Sequence, residues 1–390
     1  MSRQAHILMV HDYPPITGGG LAVAVQELSR LLQAGFCFTI LTSRLTDHFA
    51  DDRPHANGGV RKDQGPRWVV AAPYRAVEWL SSADAVVVHW TFSFRLLSTL
   101  SLVLGPLLGR PTVCVIHTAP DHCRYNRLRY LPSPARDLLL RLLCWMLRRC
   151  TAVVALSPSH RTALSSADIP VTHVLPLPVT PTVDYLEAYR AHHRQNRLPR
   201  VIGVAGELSK LKGVDQIPPL LRSLTPDFTF RIVGNGPLAR LLAWSKHNLP
   251  PRQQACVVLL ERAEPAKMVH YYRDIDCLLL VSRTESQSRV ALEAMLAGVL
   301  ILARRTSGVA DLVSDAKTGF LIDPSDPGSV RDRLDRLASK PSEAQAIRAQ
   351  ARELAERSFK DSYGRWYAFF SDLVAGAGKG LDQPDPGESP

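Results

Sequence analysis

The 390-residue sequence predicts an α/β protein of two domains, each an open, doubly wound parallel sheet, facing one another across a cleft. Three observations carry this expectation. Short β-branched apolar runs alternate with helix-compatible segments, the rhythm of parallel strands covered on both faces. That rhythm stops over 176–199, a stretch rich in proline and polar residues, and then restarts. A chain of this length also exceeds the roughly 250–300 residues at which a single core stops growing.

In order, the runs "HILMV", "CFTILTS", "WVVAA", "AVVVHW", "TVCVIH", "AVVAL" and "THVLPL" are the expected strands of a first domain over 1–180. Residues 181–199 are expected to link it to the second domain, 200–360, with strands "RVIGVAGE", "FTFRIVGNGP", "CVVLLE", "CLLLVS", "VLILARR" and "GFLID". Three helical patterns follow, "SVRDRLDRLASK", "SEAQAIRAQARELAERSF" and "SYGRWYAFFSDLVAGAG". The polar, Pro- and Gly-rich end, 377–390, is expected to be a flexible tail.

A hydrophobic fraction of 46% with 21% charged residues excludes wholesale disorder. The N-terminal pattern is not that of a secretory leader, and the longest apolar stretch, 96–109, is short of the ~20 residues that span a bilayer. Seven scattered cysteines lack metal-ligand spacing and suit reduced, buried thiols. A cytoplasmic protein is expected. The net charge of +11 divides into +7 over 1–180 and +4 over the remainder, a balance that favours anionic ligands without choosing among them.

Ligands of open α/β sheets lie beyond the carboxyl ends of the strands, so chemistry is sought there. "ESQSRVALE" follows the run "CLLLVS" and sets Glu285 at a strand end and Glu293 about two turns into the next helix. Both are expected to look into the cleft, where ionised oxygens accept hydrogen bonds from sugar or ribose hydroxyls. Helix capping or solvation is the ordinary alternative for an isolated Glu. Gly18, Gly19 and Gly20 join the first strand to its helix and let backbone approach a diphosphate or sugar closely. A dinucleotide fingerprint is broken at Val23, and the second strand ends in "TSR" without a ribose-binding acid, which sets a dehydrogenase aside. His117 ends the fifth strand, and His11 and Asp12 end the first, as acceptor-side groups or as turn caps. "DID" at 274–276 precedes its strand, so Asp276 is expected to start that strand and no essential metal is expected.

The stretch "ESQSRVALEAMLAGVLILARRTSGVADLVSDAKTGFLIDPSD" resembles the signature of the retaining GT-B glycosyltransferases of family 4, and "GGG", "VIHTAP", "GELSKLKGVD" and "IVGNGP" extend the likeness over nearly the whole chain. The resemblance implies the GT-B fold, with two Rossmann-like domains and a final helix, over 361–376, that crosses back to the first domain. Trp366, Phe369 and Phe370 would pack it there. It further implies that Glu293 takes the ribose hydroxyls of a nucleotide sugar and Glu285 holds the donor sugar. The amides of Gln287, Ser288, Arg289 and Val290 would assist, Lys212 would bind the diphosphate, and His117 would contact the sugar. Two positions depart from the family pattern: Gln287-Ser288 replaces an aromatic-Gly pair, and Glu207 stands where the family has an Arg. Glu207 is expected to turn away, with Lys210 or Arg262 supplying the missing charge.

The expected activity is therefore hexosyl or related sugar transfer. A UDP- or GDP-sugar is the donor, a glycan, lipid-linked sugar or small natural product the acceptor, and no cofactor or nucleic-acid partner is expected. A nucleotide-sugar epimerase, a phosphorylase and a non-catalytic binding protein are the rival readings. The segment 121–149 holds seven Arg against two Asp, with Leu and Trp at helical spacing. It suits either an ordinary core helix with Arg stems along its edge or a peripheral contact with the inner face of a membrane.

Overall fold

The computed structural model describes residues 4–11, 19–43, 66–71, 75–91, 95–118, 130–195, 200–261 and 263–377. Two wholly parallel sheets organise them. The first holds β1 (Ala5–His11), β2 (Phe36–Ser43), β3 (Arg67–Ala71), β4 (Ala85–Trp90), β5 (Thr112–Ile116), β6 (Ala152–Ala155) and β7 (His173–Val174), in the order β3-β2-β1-β4-β5-β6-β7. The second holds β8 (Val201–Ala205), β9 (Thr229–Val233), β10 (Val257–Leu260), β11 (Cys277–Leu280), β12 (Leu300–Arg304) and β13 (Phe320–Ile322), in the order β10-β9-β8-β11-β12-β13. Each sheet reverses its direction of growth beside its first strand, at β1/β4 and at β8/β11. These are the switch points where such sheets open a crevice.

The central strands are buried along their whole length, as β-branched runs packed on both faces require: β4 "AVVVHW", β5 "TVCVI" and β11 "CLLL". Around the first sheet, one layer of core contains Leu80, Leu102, Leu143 and Leu147, and the other contains Val25, Leu28, Trp366 and Phe370. The second sheet is sandwiched likewise, with Ile217, Leu220 and Leu334 on one face and Ala291, Met295 and Ala355 on the other. Asp276 lies directly before β11, and its Oδ2 accepts from the amides of Arg200 and Val201 at 2.9 and 2.8 Å, which ties β11 to the start of β8.

Two stretches differ from the sequence expectation. The link between the sheets contains a 13-residue helix, α6 (Val183–Gln195), whose buried His192 bonds the carbonyl of Tyr272 at 2.9 Å. The last two helical patterns are one helix of 37 residues, α14 (Pro341–Ala377). Its first half buries Ile347 and Ala351 against the second domain, and its second half buries Trp366, Phe370 and Leu373 in the core of the first. Trp366 also donates its indole N–H to the carbonyl of Pro176 at 2.8 Å.

Helix α4 (Ser133–Leu147) has two faces. Leu143, Cys144, Met146 and Leu147 enter the core, whereas Leu138 (67% exposed), Leu142 and Trp145 (46%) face outward among the exposed Arg141, Arg148 and Arg149. The rest of the basic segment, 121–129, falls outside the described residues. Among the described residues no helix is long and apolar enough to cross a membrane, and no group of His, Cys, Asp and Glu could hold a metal ion. Cys114, Cys144 and Cys277 are buried free thiols; Cys37 is exposed.

Candidate active site

The carboxyl ends of β8 and β11 frame a small, open cavity on the second domain. Lys212, Glu207, Glu285, Ser288 and Val290 border it. Lys212 is placed by a glycine: Gly213 has φ +69°, and a Cβ there would lie 2.0 Å from the carbonyl oxygen of Val281, so only glycine lets the loop press against the end of β11. Arg283 then braces the same loop, pairing with both oxygens of Asp215 at 2.6 and 2.8 Å and donating to the carbonyl of Lys210 at 2.6 Å.

Glu285 follows β11 and receives two bonds on Oε1, from Lys212 Nζ and Ser282 Oγ, each 2.8 Å. The Lys212–Glu285 pair is only partly exposed and stands at the mouth of the cavity. Beside it Ser288 caps α11 (Arg289–Leu296) without a side-chain capping bond; the Arg289 amide donates to the carbonyl of Gln287 at 3.1 Å, and the rest of the positive helix end is left for a ligand. Gly308 closes on the same loop from behind, donating its amide to the carbonyl of Glu285 at 2.8 Å. Glu207 is exposed and belongs to the stretch that borders the cavity, where the close packing of the 206 and 234 loops carries the chain along its rim. Lys210 is not among the lining residues, so Lys212 is the one Lys or Arg that borders the cavity among the described residues. Arg262 lies outside them.

Glu293 sits one layer deeper. It is 8% exposed, accepts from the hydroxyl of the buried Tyr272 at 2.8 Å on Oε2, and pairs with Arg289 Nε at 2.7 Å on Oε1. Burial pushes its carboxyl above the usual carboxylate range, against the opposing pull of Arg289 and Tyr272. Burial alone would lower the Arg289 guanidinium, but Glu293 and Glu27 outweigh it and hold it above its ordinary value.

The first domain meets this loop through three side chains. Ser286 Oγ donates to the carbonyl of His117 at 2.5 Å. Gln287 exchanges a pair of hydrogen bonds with the backbone of Leu177, at 2.7 and 2.8 Å, as a neighbouring strand residue would. Its side chain is therefore spent on the other domain, which accounts physically for an amide where the family carries an aromatic ring. Arg289 Nη2 reaches Glu27 Oε2 at 2.7 Å. A fourth contact lies aside from the loop, where Ser159 donates its amide and hydroxyl to Asp311 Oδ2 at 3.1 and 2.5 Å.

On the first-domain rim, histidines gather at strand ends. His117, partly buried, shares a 2.8 Å bond between its Nε2 and Nδ1 of His89, and His89 meets the buried His11 edge-on at 6.4 Å between ring centres. His160, held by the amide of Leu156, completes the group. Burial, and then the neighbouring His11, push His89 down to about 3; burial takes His160 down to about 4. Burial also holds His117 well below its ordinary value, with His89 adding to the effect. His89, His117 and His160 are thus neutral at physiological pH.

Gly19 and Gly20 open α1 (Gly19–Leu32), which carries Glu27, the partner of Arg289, while Gly18 and Asp12 lie outside the described residues. Structure adds residues that sequence reasoning passed over: Glu27, His89, Tyr272, Ser282 and Ser286. For His89 the signal was present, since "AVVVHW" carries a histidine next to its last residue, close to where "TVCVIH" carries its own. For Glu27, a helix residue with no local motif, there was none.

Comparison with known proteins agrees with this geometry. The model for glycosyl transferases group 1 matches residues 187–354, and that for glycosyltransferase family 4 matches 18–183. The D-inositol 3-phosphate glycosyltransferase of Jonesia denitrificans is 27% identical over 92% of this chain and 93% of its own. The 2-deoxystreptamine glucosyltransferase of Streptomyces kanamyceticus is 28% identical over 73% of this chain and 76% of its own. Other matches are shorter, the chain spanning about two-fifths (39%) of the Corynebacterium urealyticum D-inositol 3-phosphate glycosyltransferase at 30% identity. Among solved structures, Anabaena HepE in complex with UDP and glucose superposes with a TM-score of 0.71 over 96% of this chain and all of its own, at 16% identity. Sucrose-phosphate synthase of Thermosynechococcus elongatus gives 0.71 over 96% and 100% at 15% identity. At such identities these two structures speak for the fold, which is GT-B. With both halves of the chain matched in this way, the protein belongs to the glycosyltransferases, its first domain of family 4 and its second of group 1.

Proposed function

We propose that this glycosyltransferase moves a sugar from a nucleotide-sugar donor, a UDP- or GDP-sugar, to an acceptor hydroxyl with retention at the anomeric carbon and without a metal or cofactor. The observation that carries the reading is the Lys212–Glu285 pair at 2.8 Å, set beside the open start of α11 and across the cleft from His117. The printed names of the relatives, and the UDP and glucose held by the Anabaena protein on the same fold, support it.

In this reading the diphosphate lies against Lys212 and the first-turn amides of α11, the ribose donates to Glu293, and Glu285 with His117 orients the donor sugar. The bond between the anomeric carbon and the β-phosphate oxygen breaks while the acceptor oxygen bonds to the same face of that carbon. The acceptor proton passes to the departing phosphate, whose growing charge Lys212 opposes. No side-chain nucleophile is required. Contact between the domains keeps water from the reacting carbon. The outward Leu138, Leu142 and Trp145 of α4, flanked by arginines, favour a lipid-linked sugar as acceptor and a peripheral contact with an anionic membrane face, rather than a free glycan or small natural product.

A thermal-shift panel of UDP, GDP, ADP and TDP with their sugars tests the donor. A ligand at 100 times its Kd adds about 2.7 kcal/mol to stability, a displacement no non-binder gives. Glu293→Ala is expected to abolish most of that displacement, whereas Glu285→Ala keeps it and slows transfer. A flat panel for the unaltered protein rejects the donor reading, and an inverted anomer in the product rejects retention.

A further inference from the structure

The segment that follows Glu285 is fastened to the other domain, and one of its fasteners is charged. Arg289 uses Nε for Glu293 and Nη2 for Glu27, so one guanidinium joins a carboxylate of α11 to a carboxylate of α1 across the interdomain boundary. All three side chains are largely buried, with exposures of 19% for Arg289, 16% for Glu27 and 11% for Glu293. Glu27 is itself oriented by the amide of Thr180, which donates to Oε1 at 2.5 Å where the first domain ends. Arg289 Nη1 and Glu27 Oε2 are both buried without a hydrogen-bond partner among the described residues, so the 2.7 Å contact between Nη2 and Oε2 is an ion pair and the guanidinium keeps one donor unspent.

The charge arithmetic makes the arrangement conditional on domain contact. With the domains together, one cation serves two desolvated carboxylates. With the domains apart, Glu27 returns to water and Arg289 loses its second partner, so its fork is free to rotate off Glu293. Breaking one partner of a buried pair costs far more than an exposed pair contributes, and the fixed geometry of a guanidinium cannot be reproduced by a rotating ammonium.

We infer that Glu27 is a positioning residue for the donor site: through Arg289 it holds the acceptor domain against the donor domain and fixes the carboxylate of Glu293 in the orientation that receives a ribose. Glu27 touches no nucleotide, yet nucleotide affinity depends on it. The last link rests on the proposed donor reading; the first, domain closure, does not.

The test compares the full-length protein with Glu27→Gln and Arg289→Met in two measurements: small-angle scattering without nucleotide, and UDP or GDP affinity by calorimetry, whichever nucleotide the unaltered protein binds. Both variants are expected to show a larger radius of gyration and a five- to twentyfold weaker nucleotide affinity. Their double variant is expected to be no worse than Arg289→Met alone, because both act through one link, and Arg289→Lys is expected to recover only part of the loss. Circular dichroism and the unfolding midpoint establish that each variant is folded; should Arg289→Met fail to fold, Glu27→Gln, which removes charge and keeps shape, decides alone. An unchanged radius overturns the inference whatever happens to affinity, and so does a larger radius with unchanged affinity. A larger radius in a protein whose unaltered form binds no nucleotide supports the clasp and removes the donor reading instead.

Discussion

The two rims of the cleft are made from the same strand–loop–helix unit and carry opposite chemistry. On the second domain, strand ends present ionised pairs: Lys212 with Glu285, Arg283 with Asp215, Arg289 with Glu293. On the first, they present imidazoles driven neutral by burial, His89 down to about 3 and His160 to about 4. A charged rim suits the grip on an anionic leaving group. In the proposed reaction a neutral rim adds no positive charge beside the sugar carbon as the diphosphate leaves. The same scaffold therefore divides by the local cost of charge: on the second rim each charge has a partner of opposite sign, partly exposed at Lys212–Glu285 and buried at Arg289–Glu293, and on the first rim burial prevails and protons are lost.

The sharpest way to break this contrast is to remove charge from the second rim. Lys212→Met or Glu285→Gln is expected to lower the transfer rate by about 10²–10³, the range seen when one stabilising group is taken from a preorganised site. Steady-state kinetics decide it, and a loss below threefold in both would remove the ion pair from the mechanism. Next in size is the glycine that places Lys212. Gly213→Ala forces φ +69° on a residue with a side chain and drives its Cβ to 2.0 Å from the carbonyl oxygen of Val281, for an expected loss of at least ~2 kcal/mol in urea unfolding. A wild-type midpoint would show that the loop relaxes freely.

The neutral rim is probed by acid. His89 and His160 have folded-state values below the 6.5 of an exposed imidazole, so below that pH the unfolded chain binds protons that the folded one refuses. The stability they contribute is complete above pH 6.5 and is lost as pH falls, down to about 4 for His160 and about 3 for His89. Each imidazole adds a slope of up to about 1.4 kcal/mol per pH unit within its window. Thermal unfolding between pH 7 and 4.5 should steepen accordingly, and His89→Phe should flatten the curve. Equal slopes in the two proteins would mean that burial does not depress His89.

Much of the fold was legible because buried parallel strands are written as short β-branched runs: all thirteen strands stand where "HILMV" through "GFLID" place them, and in the same order. The helix α6 was hidden inside a proline- and histidine-bearing stretch whose stability comes from packing on Tyr272 rather than from its own periodicity. The two patterns read within α14 left out only Lys360 and Asp361, and the burial of Ala355 before that gap and of Trp366 and Phe370 after it carries one helix through. In the site, Glu285 and Lys212 could be placed from strand ends and resemblance, since both lie in loops with a recognisable residue pattern. Glu27 and the Leu177 partner of Gln287 could not, because a contact between chain segments far apart in sequence leaves no local trace in either.

The long helix α14 also has a consequence for the birth of the molecule. Trp366, Phe370 and Leu373 complete the hydrophobic interior of the domain over 1–180, yet they leave the ribosome only after the whole of the second domain's sheet. During translation that earlier half waits with an unfilled apolar seam while the later half, whose own interior ends near Ala355, can already consolidate. Nascent chains stalled before residue 366 should accordingly be the ones that chaperones hold.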